Sequence, residues 1–284
     1  MPHAIRFAIN RICAARWPLP AFAAMAQRLG VDTIELRNDL DAVEPHNGMS
    51  GAEVAAITQD HGLTIRAINA LQRFEQFDAT RESEAAQLLA YAAACGAQAI
   101  VLCPTNSCED PRTSARRHDD LVQALSRLLP LLQAHGVSGL IEPLGFSECA
   151  LRCKSQAMRA LEDLGSPPSL TLVHDTFHHH LAGDMAIFPA ATGLVHLSGV
   201  DNATVSIAAM RDPHRVLVGP QDRLGNVQQL RALLEAGYQG VVSFEPFADA
   251  IVSAADIEQQ LARSMDYLSA AVAASTGTAE SSVR

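Results

Sequence analysis

Gly136-Val137-Ser138-Gly139-Leu140-Ile141-Glu142-Pro143 reads as a helix stop, a buried strand and an acid at the strand's end. An amphipathic, leucine-rich stretch runs up to Gly136, a residue suited to the left-handed position that closes a helix. The run behind it is short and apolar, as a strand buried on both faces requires. Pro143 pushes its predecessor toward extended geometry and cannot donate to a ladder, so Glu142 is the expected last residue of the strand. The unit recurs. Gly30 precedes Val31–Leu36, Gly62 precedes Leu63–Ile68, Gly96 precedes Ala97–Leu102, and Gly237 precedes Val241–Glu245, where Glu245-Pro246 repeats the ending. The first four glycines fall at intervals of 32, 34 and 40 residues, the length of one strand–helix unit.

Ile5–Ile9, Leu170–His174 and Leu194–Leu197 bring the strands to eight. Eight short apolar strands alternating with helices predict an α/β chain folded as a single (β/α)8 barrel of the TIM type over residues 1–274. Residues 275–284 are small and polar and are expected to be a disordered tail. An open doubly wound sheet would carry a glycine-rich phosphate loop after an early strand, and Asn10-Arg11-Ile12-Cys13-Ala14 contains no glycine.

Composition narrows the partners. Hydrophobic residues make up 48% of the chain and charged residues 18%, enough for a large core. The net charge of -10 repels phosphate backbones, so nucleic acid is not an expected partner. The N-terminus has no secretory pattern, and no apolar run is long enough for a membrane helix. The six cysteines form no Cys-x-x-Cys set and are expected to be reduced. These features predict a cytoplasmic protein without a membrane partner; a homo-oligomer stays open.

Barrels of this kind carry their active sites at the C-terminal ends of the strands. Glu142 and Glu245 end the fifth and eighth strands, His174-Asp175 ends the sixth, and His196 lies in the seventh. Taken singly, a glutamate before proline is usually a loop residue, and a strand histidine is usually a core residue. Together, ionisable groups on four successive strands would repel one another unless a cation neutralised them. Glu142, Asp175, His196 and Glu245 are therefore the expected ligands of one divalent ion, Mn²⁺ foremost, with Mg²⁺, Co²⁺ or Zn²⁺ as alternatives. The competing reading is a salt-bridged barrel rim. Of His178-His179-His180, His178 has the best spacing from Asp175 for a role in the site. Glu35 and Arg37 could pair at the rim or serve the site, Glu35 as a contact to substrate, and Asn69 could bond a ligand hydroxyl or cap a turn. Arg215 stands in the long Asp201–Leu224 segment, a candidate lid. Phe7 and Trp17 are candidates for an apolar wall.

At these residues the chain resembles the xylose-isomerase-like barrel superfamily, and within it the inosose (2-keto-myo-inositol) isomerases. The matching segments are Ile34-Glu35-Leu36-Arg37, Asn69-Ala70-Leu71, Gly145 with Cys149, and Asp175-Thr176-Phe177-His178 with His180. His214-Arg215-Val216 with Gly219 and Val241–Glu245 continue the match. The resemblance implies the same four metal ligands, with His178 and Arg215 on the substrate. It implies 1,2-proton transfer in a keto-polyol or sugar through an enediolate, with Glu142 and Glu245 as the catalytic acid and base. Asn202 stands where many sugar epimerases of the superfamily have an arginine, which weighs against a 3-epimerase. The rival expectations are a metal-dependent dehydratase of 3-dehydroshikimate or inosose, and a barrel that binds a polyol without turning it over.

Overall fold

The structure is a computed structural model that describes residues 4–274; the expected tail at 275–284 lies outside the described residues. Eight strands, β1 (Arg6–Asn10), β2 (Thr33–Arg37), β3 (Thr64–Gln72), β4 (Ala99–Cys103), β5 (Ser138–Ile141), β6 (Leu170–Asp175), β7 (Thr192–Leu197) and β8 (Val241–Phe244), close into one barrel in sequence order. Every neighbouring pair is parallel, including β8 with β1. The helices are α1 (Leu19–Arg28), α2 (Gly51–Asp60), α3 (Ala79–Cys95), α4 (Ser114–His135), α5 (Lys154–Asp163), α6 (Thr176–Ala182), α7 (Asn226–Glu235), α8 (Asp249–Val252) and α9 (Ile257–Ala273). No described helix is long and apolar enough to cross a membrane.

The repeated glycine does what its position predicts. Gly96 and Gly136 close α3 and α4 at φ of 76° and 64°, in the left-handed region. The next residue then turns its N–H back onto the helix: Ala97 onto Ala92 O, Val137 onto Leu132 O, Val31 onto Ala26 O, Leu63 onto Thr58 O. This is the six-to-one bond of a Schellman closure. It corrects the expected strand starts. The first apolar residue after each glycine finishes the helix, so β2 to β5 begin one or two residues later than the hydrophobic run.

Alternation along the strands separates two cores. Ile9, Ile34, Ile100, Leu102, Ile141, Leu172, Val195 and Val242 belong to the large outer cluster with the helix residues. Ala8, Ala67, Ala99, Val101, Leu140, Val173, Leu194 and Val241 form a separate small cluster inside the barrel. Side chains two residues apart share a face. The inward rows therefore continue from Ala8 to Asn10, Ala67 to Asn69, Val101 to Cys103, Leu140 to Glu142, Val173 to Asp175 and Leu194 to His196. The row on β8 runs from Val241 through Ser243 to Glu245. Each inward apolar row thus ends in a polar or ionisable group at the same end of the barrel.

Glu142 and Glu245 stand one residue beyond the ends of β5 and β8, a second small correction. Their N–H groups still donate into the sheet, to Leu102 O (3.1 Å) and Leu197 O (2.8 Å). Pro143 and Pro246 have no N–H to continue the ladder.

Candidate functional site

The strand ends converge on one buried cluster. Glu142, Asp175, His196 and Glu245 each offer one ligand atom, and these atoms all lie within 4.8 Å of one another. Metal bonds of about 2.0–2.3 Å put two ligands of one ion at most about 4.6 Å apart. Shifts of a few tenths of an ångström would seat one divalent ion, and three oxygens with one imidazole nitrogen suit Mn²⁺, Mg²⁺, Co²⁺ or Zn²⁺.

His196 is the hub. Its Nδ1 lies 2.8 Å from Glu142 Oε1 and 3.3 Å from Glu245 Oε2, and its Nε2 lies 3.1 Å from Glu35 Oε2. Burial opposes a charge on the ring, but Glu245, Glu35 and Glu142 outweigh it and raise its pKa well above the ordinary value. Burial also opposes the charge of Glu35, yet His196, Ser243 and Asn69 hold that carboxyl down to about 2. Glu35 is fully buried and takes Asn69 Nδ2 at 2.8 Å. It therefore orients the imidazole from below, leaving Nδ1 facing the other carboxylates.

Two guanidiniums close the other side. Arg37 Nη1 donates to Glu245 Oε1 (2.7 Å), while Arg215 Nη2 donates to Glu245 Oε2 (2.9 Å) and to Asp175 Oδ2 (2.6 Å). Phe247 lies between them, with the Arg37 and Arg215 guanidinium carbons 5.0 and 4.6 Å from its ring centroid. Burial and Glu142 push Glu245 up, to about 7, against His196 and Arg215. Asp175 moves the other way: Arg215, His178 and His196 overcome its burial and hold it below the usual carboxylate range. Its second oxygen caps α6 by accepting His178 N at 2.9 Å.

Above the cluster opens a cavity of about 600 Å³. Glu142, Glu245, His178, Arg215 and Asn69 line it, as do Arg37, Cys103, Phe146 and Phe247. The His178 Nδ1 atom is buried without a hydrogen-bond partner among the described residues, which leaves it available to a ligand. Gly145 passes so close to α6 that a Cβ there would overlap the His178 carbonyl. His179 and His180 take no part: His179 Nδ1 meets Lys154 Nζ at 2.6 Å, and neither residue lines the cavity.

Several expectations are corrected. Glu35 lies beneath the cavity and is not among its lining residues, because the inward row of β2 places it one layer below Arg37. Nor do Glu35 and Arg37 pair; Arg37 takes Asp39 and Glu245. Phe7 stacks on Phe244 with centroids 5.4 Å apart, and Phe7 and Trp17 both pack against the outer core. The aromatic walls are Phe146 and Phe247, which carry no sequence signal. Cys103, whose thiol sits 3.5 Å from Glu142 Oε2, ends β4 and was open to the strand-end rule. Asn202 is exposed and binds Thr204, away from the cavity.

The fold agrees with the comparison to known families. Residues 23–271 match the family model described as the xylose isomerase-like TIM barrel. The chain belongs to that family. A xylose isomerase domain containing protein from Salmonella typhimurium LT2 is 34% identical, with a TM-score of 0.87 over 94% of this chain and 98% of that one. The IOLI protein, solved with a zinc atom bound, shares the fold at 21% identity and a TM-score of 0.82, over 94% of this chain and 98% of its own. D-psicose 3-epimerase from Clostridium cellulolyticum H10, solved with D-tagatose, shares it at 15% identity and a TM-score of 0.71, over 94% and 99%. No curated protein sequence matches closely enough to count as a relative.

Proposed function

We propose that this member of the family is a divalent-metal-dependent isomerase or epimerase of a keto-polyol or ketose, of the inosose isomerase type. The observation that carries the reading is the pair Glu142 and Glu245, which face one cavity on either side of His196 and Asp175. A purely binding barrel gains little from two such carboxylates. Bound among Glu142, Asp175, His196 and Glu245, a divalent ion supplies Lewis acidity toward adjacent substrate oxygens.

The protein's own groups divide the remaining work. One glutamate takes the proton from the carbon beside the carbonyl, and the other returns one to the neighbouring carbon or the opposite face. Glu245 has a guanidinium on each oxygen, whereas among the described residues Glu142 Oε2 meets only the Cys103 thiol. Glu142 is the less restrained and takes the first proton in this reading. Arg215 and His178 orient substrate hydroxyls, and Phe146 and Phe247 give the cavity its aromatic wall.

The lining favours a neutral substrate. Asp39, Glu109, Asp110, Glu142, Asp212 and Glu245 oppose only Arg37, Arg73 and Arg215 among its formal charges. A divalent ion leaves that balance negative, which disfavours a carboxylate such as 3-dehydroshikimate. One observation supports the dehydratase reading: Arg73 at the cavity is exposed and has no carboxylate partner among the described residues.

The test is solvent deuterium incorporation into inososes and ketoses, followed by NMR with Mn²⁺ and with EDTA. Metal-dependent exchange at an α-carbon is expected, and Glu142→Gln lowers it by about 10²-fold or more. An ultraviolet-absorbing enone or aromatic product would assign the dehydratase instead. Absence of turnover of 2-keto-myo-inositol removes the inosose assignment, and absence of exchange in every ketose with the ion bound removes the isomerase.

A further inference from the structure

A second cavity, of about 210 Å³, lies behind the loops that wall the main one. Arg117, Arg152 and Arg159 line it, against the single carboxylate of Glu75. That carboxylate is already engaged by Arg112 Nη2 at 2.7 Å and by the N–H of Thr105. Arg117 is compensated by Asp110 at 3.1 Å, and the other two guanidiniums make this cavity locally basic in a chain with net charge -10.

Their hydrogen-bonding capacity is not used up. Arg159 has no carboxylate partner among the described residues and is exposed on α5. Arg152 Nε and Nη2 donate to the Gly145 and Leu181 carbonyls, and this guanidinium too lacks a carboxylate partner among the described residues. Arg117 Nε is buried 3.1 Å from Asp110 Oδ2 yet out of line for a hydrogen bond. Ser114, the first residue of the 22-residue helix α4, lines the same cavity. Its hydroxyl adds a donor to the guanidiniums, while the Arg116 N–H of the same turn is already taken by the Thr113 hydroxyl.

We propose that this cavity binds a small oxyanion of the phosphate type, either free or carried on a metabolite. Planar guanidinium forks grip the oxygens from α5 and α4, and Ser114 takes the remaining side. The site is separate from the candidate metal centre. It is connected to it through the chain, since Arg117 Nη2 also donates to Asp110 O and Asp110 lines the main cavity. Arg152 holds Gly145 in the same way, next to Leu144 and Phe146 of the main cavity wall. A bound oxyanion would thus brace both loops from behind.

The experiment is calorimetric titration of the full chain with inorganic phosphate at low ionic strength. A parallel titration uses glucose 6-phosphate, with glucose as its control. One saturable site is expected, weakened at least about tenfold in Arg159→Glu. Arg159 is exposed and its replacement costs the fold little; Arg263→Glu, on the exposed face of α9, is the control that keeps wild-type affinity. Tighter glucose 6-phosphate binding supports the site and assigns it to a phosphorylated metabolite; binding of phosphate alone supports it and assigns the free ion. No saturable binding, or affinity unchanged in Arg159→Glu, overturns the proposal. So does binding that survives Arg159→Glu but disappears in Arg215→Ala, which would put the anion in the main cavity.

Discussion

Replacing Glu35 separates an orienting role from a substrate contact. Its carboxylate is fully buried, 3.1 Å from His196 Nε2 and 2.8 Å from Asn69 Nδ2, and it does not line the cavity. A carboxylate behind a ligating histidine is typically worth 10–100-fold in metal affinity, or about 1.4–2.7 kcal/mol. Glutamine keeps the shape and can still accept from His196 but loses the charge, so Glu35→Gln is expected near the tenfold end. Glu35→Ala also strands the His196 and Asn69 donors, at about 1–3 kcal/mol each. That variant is expected near a hundredfold weaker in Mn²⁺ affinity, with about 2–6 kcal/mol less unfolding free energy. Calorimetric Mn²⁺ titration and urea unfolding read the two effects independently. Wild-type Mn²⁺ affinity in Glu35→Ala would refute the orienting role. Unchanged metal affinity with a raised KM in Glu35→Gln would restore the substrate contact expected from the sequence.

Two further predictions follow from groups outside the cluster. Burial lowers Lys154 to about 8, with only His179 as its hydrogen-bonding neighbour among the described residues. Between that value and the ordinary 10.5 the unfolded chain holds a proton that the folded protein lacks, so stability from this group rises with pH through that window. Lys154→Met is expected to gain about 1–2 kcal/mol at pH 7, after the lost bond to His179, with the gain fading as pH approaches 10.5; urea unfolding at pH 7 and 10 measures this, and a less stable variant at pH 7 would contradict it. Gly145→Ala is expected to lose about 1–3 kcal/mol, because its Cβ meets the backbone of α6, which can yield only by moving His178. Thermal unfolding should show a lowered Tm, and an unchanged Tm would mean that the β5 loop is free to shift.

The barrel was legible because its signals are local. A helix-stopping glycine marks five strands, an acid before proline ends two, and an apolar run marks all eight; each signal acts within a few residues, and together they leave few arrangements of the chain. The strand starts were less legible. Val31, Leu63, Ala97 and Val137 look like strand residues by type, yet each completes a helix closure through its N–H. Hydrophobicity does not record which backbone group a residue satisfies. Glu142, Asp175, His196 and Glu245 came together as expected because their places at the strand ends share one face by periodicity.

The sequence by itself determined the fold class, the mouth at which the ionisable groups gather and the identity of the four that meet there. Tertiary structure decided their partners: that Glu35 supports His196 from below, that Arg37 and Arg215 hold opposite oxygens of Glu245, and that Phe247 lies between the two guanidiniums. It also decided that Phe146 and Phe247, rather than Phe7 and Trp17, wall the cavity. Periodicity fixes which side of a strand a residue faces, an intrachain property repeated every two residues. Depth within the barrel and contact across it depend on the stagger between strands and on where each loop returns, and both are set only when the barrel closes.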